Sequence, residues 1–170
     1  MPFSSDTFEA EFEDAIRWLA SKMPTADKLS KPTLLHTIRV GIWLYTHGYD
    51  RETTLAGLLH DAIEDSPITT DEINKRYGKD VAILVEANTK NDQLQDHDAK
   101  YEDLLRRCIE AGERAAIIKA ADILDNYRYF SKTKESARIQ LMEETGATLV
   151  RMLPVDFDDA IFGELRKTIS

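Results

Sequence analysis

Apolar residues recur every three or four positions along nearly the whole chain, the period of helices that bury one face. Phe8, Phe12, Ala15, Ile16 and Leu19 predict a first helix over about Asp6 to Met23. Ser30 and Pro32 mark the next start, as N-cap and early helical proline, and Leu35, Ile38, Ile42 and Leu44 carry that helix to Gly48. His47, beside the glycine, reads as a residue of the C-terminal cap. Asp50 opens a third helix with Leu55, Leu58, Leu59 and Ala62 inward, and Pro67 closes it. Thr69 and Glu72 have capping-box spacing before Ile73, and Gly78 ends that short helix. Val81, Leu84 and Val85 belong to another. Asn91 to Asp98, with His97 in it, is polar and reads as a loop. Tyr101, Leu104, Leu105 and Cys108 predict a helix that stops at Gly112, followed by one over about Ala115 to Phe130. Two more cover about Glu135 to Leu153 and Asp156 to Lys167, the last a peripheral helix that must dock Phe157, Ile161 and Leu165. No run alternates with the period of a strand, and no repeat or low-complexity stretch stands out. The expectation is an all-α fold: one helical-bundle domain over residues 1–170, of eight or nine helices, with a core over about 26–130 and the C-terminal helices, 135–167, packing on it.

Composition narrows the function classes. A chain of 170 residues with 42% hydrophobic content is the size of one domain and can bury a real core. No stretch approaches the length of a membrane span, and no apolar run follows a basic start, so a soluble, unexported, cytoplasmic protein is expected. Cys108, the one cysteine, excludes an internal disulfide and reads as a buried structural thiol. The net charge of −9 argues against a nucleic-acid partner, whose phosphates need basic patches. A small phosphorylated ligand is still compatible, because a few local cations and a metal ion can hold one on an acidic protein.

Of four histidines, His36 and His60 lie on helices that are mostly apolar on their inward side. His60 is followed at once by Asp61, and imidazole and carboxylate both suit Mn, Fe or Zn. Glu64 stands four residues after His60 and Asp65 four after Asp61, spacings that share a helix face. Three carboxylates there repel one another near a helix C-terminus, where negative charge is unfavourable, and a bound cation would relieve them. A solvated acidic helix end before Pro67 accounts for the segment equally well. Asp122 lies in the apolar stretch Ile117 to Leu124, with Lys119 and Asn126 forming a polar strip beside it. It either serves a site or pairs with Lys119 on an exposed face. Arg39, one turn after His36, either faces the same pocket or sits on the surface.

Taken together, His36, then His60-Asp61, then Asp122 resemble the signature of the HD superfamily of phosphohydrolases. Within it the chain is similar to the hydrolase domain of the RelA/SpoT proteins and its small stand-alone relatives. The resemblance rests on His36-Thr37-Ile38-Arg39-Val40, on Leu58 through Asp65, on Leu84 through Lys90, and on Lys119-Ala120-Ala121-Asp122 with Asn126 and Arg128. It covers about Ala26 to Phe130, and the Glu64-Asp65 pair after the His-Asp dipeptide is its most specific piece.

The resemblance implies an HD-domain bundle that removes the 3′-pyrophosphate of guanosine tetra- or pentaphosphate. It implies one divalent metal ion held by His36, His60, Asp61 and Asp122, Mn²⁺ before Fe²⁺ or Zn²⁺. Glu64 and Asp65 would be the catalytic pair that orients or activates water and assists the leaving group. The implied substrate-binding set is Lys28, Arg39, Lys119 and Asn126: Lys28 near the nucleotide, Asn126 at the sugar, Lys119 and Arg39 supporting the ligands. The implied partner is a small nucleotide-like phosphoester, with no nucleic acid or membrane; a homodimer through the last two helices is left open. The chain departs from the family where a guanine-stacking arginine is usual: Asp27 stands there. Lys31-Pro32-Thr33 and the stretch Asp125-Asn126-Tyr127-Arg128-Tyr129 depart as well. Two other readings therefore stand beside the first. One is a phosphatase acting on a different nucleotide, which Asp27 and Tyr129 favour. The other is a non-catalytic nucleotide or metal sensor, which the intact Glu64 and Asp65 oppose.

Overall fold

Side-chain N-caps start α-helices at Asp50, Thr69, Asp96 and Asp159 in the computed structural model, which describes residues 5–170. The described residues form ten α-helices, one 3-10 turn and no strand. The chain divides into two compact units, residues 1–86 and 87–170.

The first unit opens with α1 (Ser5–Lys22), then the 3-10 turn Ala26–Lys28, α2 (Thr33–Thr46) and α3 (Arg51–Leu59). It continues with the single turn α4 (Ala62–Asp65), α5 (Thr70–Tyr77) and α6 (Lys79–Ala87), whose last residue belongs to the second unit. Helices α1, α2 and α3 pack on one another, burying Phe12, Leu19, Val40, Leu44, Leu55 and Leu58. Arg51 ties this unit together from its edge. Its guanidinium binds the Glu11 carboxylate of α1, with Nε donating over 2.7 Å, and donates to the Tyr77 carbonyl at the end of α5.

The caps follow the sequence in part. Asp50 caps α3 by accepting from the Thr53 amide over 2.7 Å. The predicted capping box of α5 is complete: Thr69 Oγ1 accepts from the Glu72 amide, and the Glu72 carboxylate accepts from the Thr69 amide. Gly78 closes that helix at φ +96°, a region that side chains disfavour. His47 is the C-cap of α2, and its Nδ1 lies 2.7 Å from the Trp43 carbonyl oxygen.

Elsewhere the structure corrects the pattern. Pro32, not Ser30, occupies the N-cap of α2, and it provides no side-chain cap. Its pinned φ and missing amide hydrogen suit the helix start without one. The helix expected from Asp50 to Pro67 breaks at His60-Asp61, which sit in a turn between α3 and α4, and this break adds to the helix count. Leu35 and Ile42 are 54% and 45% exposed, while His36, Thr37, Val40, Gly41 and Leu44 are buried. The apolar positions of α2 thus fall on two faces, and the inward one includes the histidine.

The second unit comprises α7 (His97–Ala111), α8 (Glu113–Thr133), α9 (Ser136–Met152) and α10 (Ala160–Thr168). Helix α7 starts earlier than the polar run suggested, because Asp96 caps it through the Ala99 amide; His97 is its first residue. Helix α8 is the central element, packed against α7, α9 and α10. Helix α10 begins at Ala160, capped by Asp159, rather than at Asp156. It is no mere peripheral flap: Ile161, Phe162 and Leu165 are fully buried, docked with α8 and α9. Among the described residues no helix is long and apolar enough to cross a membrane.

Candidate metal centre

In the first unit, α2 and α3 bring His36 and His60 together across 24 positions of sequence. Both imidazoles are buried, and their Nε2 atoms stand 3.2 Å apart, with the rings edge to face. The Asp61 carboxylate completes a triangle: Oδ2 lies 3.7 Å from His36 Nε2, and Oδ1 lies 3.4 Å from His60 Nε2. Its side chain is 16% exposed, while both imidazoles are buried.

The His60 ring is held from behind. Its Nδ1 lies 2.7 Å from the Gly57 carbonyl oxygen, which only accepts, so Nδ1 carries the hydrogen and Nε2 of the neutral ring presents its lone pair. A lone-pair nitrogen facing a second ring nitrogen and a carboxylate in a buried site needs a shared proton or a shared cation. Donor atoms about 2.0–2.2 Å from one ion lie roughly 2.8–3.6 Å from each other across octahedral and tetrahedral angles. Two of the three separations, 3.2 and 3.4 Å, fall within that range, and the third, 3.7 Å, lies just beyond it. Two imidazoles and a carboxylate are also the donor chemistry of Mn, Fe and Zn sites. The residues present therefore fit a divalent transition metal.

Glu64 and Asp65 lie half-buried in α4, one turn beyond His60-Asp61, where the Asp65 amide donates to the Asp61 carbonyl over 3.0 Å. The turn between α3 and α4 keeps these four residues contiguous rather than on one straight helical face. Arg39 is half-buried on α2, and Lys28 and Asp27 are exposed in the 3-10 turn.

In the second unit the polar strip on α8 is largely withdrawn from the surface: Lys119 and Asn126 are buried and Asp122 is part-buried. The Asp122 carboxylate is oriented at both oxygens: Lys119 Nζ donates to Oδ2 over 2.8 Å, and Asn126 Nδ2 donates to Oδ1 over 2.6 Å. Lys119 is only 5% exposed, and a buried ammonium demands such a partner. The pairing of Asp122 with Lys119 foreseen for an exposed face thus exists, but inside the unit. The amide nitrogen of Asn126 is engaged with Asp122, its neighbour in the polar strip.

Gly57 is the residue that sequence reasoning missed. The available signal was a glycine three residues before His60, within the apolar run Leu55 to Leu59 of a helix, where it lowers helix stability and needs a reason.

The fold and this pair of histidines with an adjacent aspartate define an HD-type helical protein. An HD domain family matches residues 15–149, and the chain belongs to that family. A guanosine-3′,5′-bis(diphosphate) 3′-pyrophosphohydrolase of Aquifex aeolicus is 33% identical over 120 residues, 69% of this chain and 17% of that protein. The bifunctional (p)ppGpp synthase/hydrolase SpoT of Escherichia coli is 35% identical over 120 residues, 68% of this chain and 17% of that protein. The chain thus spans 17% of the length of these curated relatives. Among solved structures, one described as a metazoan ortholog of SpoT that hydrolyzes ppGpp matches with a TM-score of 0.76 at 23% identity, over 99% of this chain and 96% of that one. The structure of lmo0812 from Listeria monocytogenes matches with a TM-score of 0.67 at 23% identity, over 79% of this chain and 92% of that one. These two likenesses show a shared fold.

Proposed function

We propose that this chain is a single HD domain acting in the cytoplasm as a metal-dependent phosphohydrolase, releasing pyrophosphate from the 3′ position of guanosine tetra- or pentaphosphate. The observation that carries the reading is the convergence of His36 Nε2, His60 Nε2 and the Asp61 carboxylate, with His60 locked as a lone-pair donor by Gly57. The curated relatives named for this pyrophosphohydrolase activity support the choice of substrate.

In this reading His36, His60, Asp61 and Asp122 hold one divalent cation, Mn²⁺ first, with Fe²⁺ and Zn²⁺ suited by the same donors. Asp122 is fit for the role because Lys119 and Asn126 aim its carboxylate. When bound, the cation supplies charge stabilisation to a phosphoryl oxygen and lowers the pKa of water. Glu64 and Asp65 manage protons. One takes a proton from the attacking water as its oxygen bonds to the phosphorus next to O3′. As the P–O3′ bond breaks, the other returns a proton to the sugar oxygen. Lys28 steadies the nucleotide, Asn126 serves at the sugar, and Arg39 and Lys119 support the ligands.

The test is pyrophosphate release from a panel of nucleotides by Mn²⁺-loaded protein, guanosine tetraphosphate among them. Turnover of guanosine tetraphosphate with Mn²⁺, abolished together with metal content in Asp61→Ala, is the expected result. Activity confined to simple monophosphates overturns the substrate. Full metal content and turnover in Asp61→Ala overturn the metal assignment. A second reading, a phosphatase for another nucleotide, is favoured by Asp27: it is exposed in the 3-10 turn, and a carboxylate there replaces the planar cation that stacks on guanine in the resembled family. The same panel separates the two.

A further inference from the structure

His36 lies on α2 and His60 directly follows α3, and two glycines, Gly41 and Gly57, line the contact between those helices. A Cβ built on Gly57 would overlap Leu44 Cδ1 of α2 well inside van der Waals contact, and Val40 Cγ1 stands 3.6 Å away. The contact is reciprocal. A Cβ on Gly41 of α2 would meet Leu58 Cβ of α3 at 3.0 Å and Phe12 Cζ at 3.0 Å. Leu44 and Leu58 are fully buried, so neither has room to swing away in a close-packed interior. At this helix spacing a side chain at position 41 would press on Leu58 Cβ, and one at position 57 would have to displace the tip of the buried Leu44.

The same Gly57 supplies the carbonyl that accepts from His60 Nδ1. One backbone position thus does two things for His60. It lets α2, which carries His36, come near, and it fixes the imidazole so that Nε2 points at His36 Nε2, 3.2 Å away. A methyl group at Gly57 pushes the helices apart and turns the carbonyl with its helix, which moves both donor atoms. We propose that Gly57 is a positioning residue of the metal centre: it sets the distance and orientation of the two imidazoles and thereby the affinity for the cation. This inference rests on the metal-centre reading above.

The experiment measures Mn²⁺ affinity by the loss of the free-ion electron paramagnetic resonance signal, and the visible spectrum of the Co²⁺-loaded protein. It is run on the wild type, Gly57→Ala, Leu44→Ala and the double variant Gly57→Ala/Leu44→Ala. Disturbing a group that orients a metal ligand typically lowers affinity about 10–100-fold. Gly57→Ala is expected to lose at least about tenfold in Mn²⁺ affinity and to alter the Co²⁺ spectrum while circular dichroism stays native. The double variant, in which Leu44 no longer blocks the new methyl group, is expected to regain most of that affinity.

A folded Gly57→Ala with wild-type affinity and spectrum overturns the proposal, and so does a double variant that binds no better than the single one. If Gly57→Ala does not fold, ¹⁵N NMR of His60 in the wild-type, metal-free protein at pH 8 decides. An Nδ1–H tautomer supports the proposal, and an Nε2–H tautomer overturns it. A wild-type protein that binds neither Mn²⁺ nor Co²⁺ removes the metal centre itself. That outcome is distinguishable from a wild type that binds and a Gly57→Ala that binds equally well.

Discussion

Glu64 stands on α4, one helical turn beyond His60-Asp61, and the proposed roles of metal holding and proton transfer can be separated by substitution there. Glu64→Ala is expected to keep its Mn²⁺, measured by elemental analysis, while turnover falls at least about a hundredfold, the usual size of a lost acid or base. Unchanged turnover would move the proton-transfer role to another residue. Cys108 is a different case: a fully buried thiol. Burial pushes its pKa up to about 11, outweighing the nearby Lys119 and Arg107 cations. Its Sγ–H donates to the Ala87 carbonyl over 3.3 Å. The thiolate is the reactive form, so the native thiol should be modified by a disulfide reagent at pH 8 at least about tenfold more slowly than in urea. The folded state holds this proton to a higher pH than the unfolded chain does, whose thiol titrates near 8.5. Stability from this group is therefore full below about pH 8.5 and is lost as pH rises toward about 11. Urea unfolding between pH 8 and 11 should show that decline, and Cys108→Ala should flatten it.

At the scale of elements, helix ends obey local chemistry and helix pairs obey packing. The capping box of α5 is purely local, and the Thr69 amide bonded to the Glu72 carboxylate holds that carboxyl below its ordinary pKa. Thr69→Ala should cost about 1 kcal/mol by urea denaturation, the usual loss for an N-cap side chain. A wild-type midpoint in that variant would mean α5 does not depend on its cap. The α2–α3 pair is the opposite case. Its closeness comes from Gly41 and Gly57 meeting Leu58 and Leu44 across the interface, residues that no i to i+4 rule links. The break between α3 and α4 was likewise invisible, since Asp50 through Asp65 carries a continuous helical period. Exposure of Leu35 and Ile42 also depends on which face of α2 is covered, not on the period itself.

For the whole molecule, an ion that binds only the folded protein must stabilise it. Two buried imidazoles and a carboxylate 3.2 to 3.7 Å apart exist only after α2 and α3 have packed. Mn²⁺ at a hundred times its Kd should therefore add about 2.7 kcal/mol. In a thermal melt this appears as a raised Tm that a chelator reverses and that Asp61→Ala lacks. An equal rise in Asp61→Ala would place the bound ion elsewhere on this acidic chain, whose net charge is −9.

The sequence by itself determined the all-helical class, the caps at Asp50, Thr69, Glu72 and Gly78, and the adjacency of His60 and Asp61. Each of these depends on residues within about one helical turn of one another, so the chain order contains the whole interaction. Only the tertiary structure decided that His36 meets His60 across 24 residues, that Lys119 and Asn126 are buried beside Asp122, and that Gly41 and Gly57 face Leu58 and Leu44 across the α2–α3 contact. Those outcomes come from the close packing of distant side chains. Spacing along the chain carries no information about how near two helices can approach.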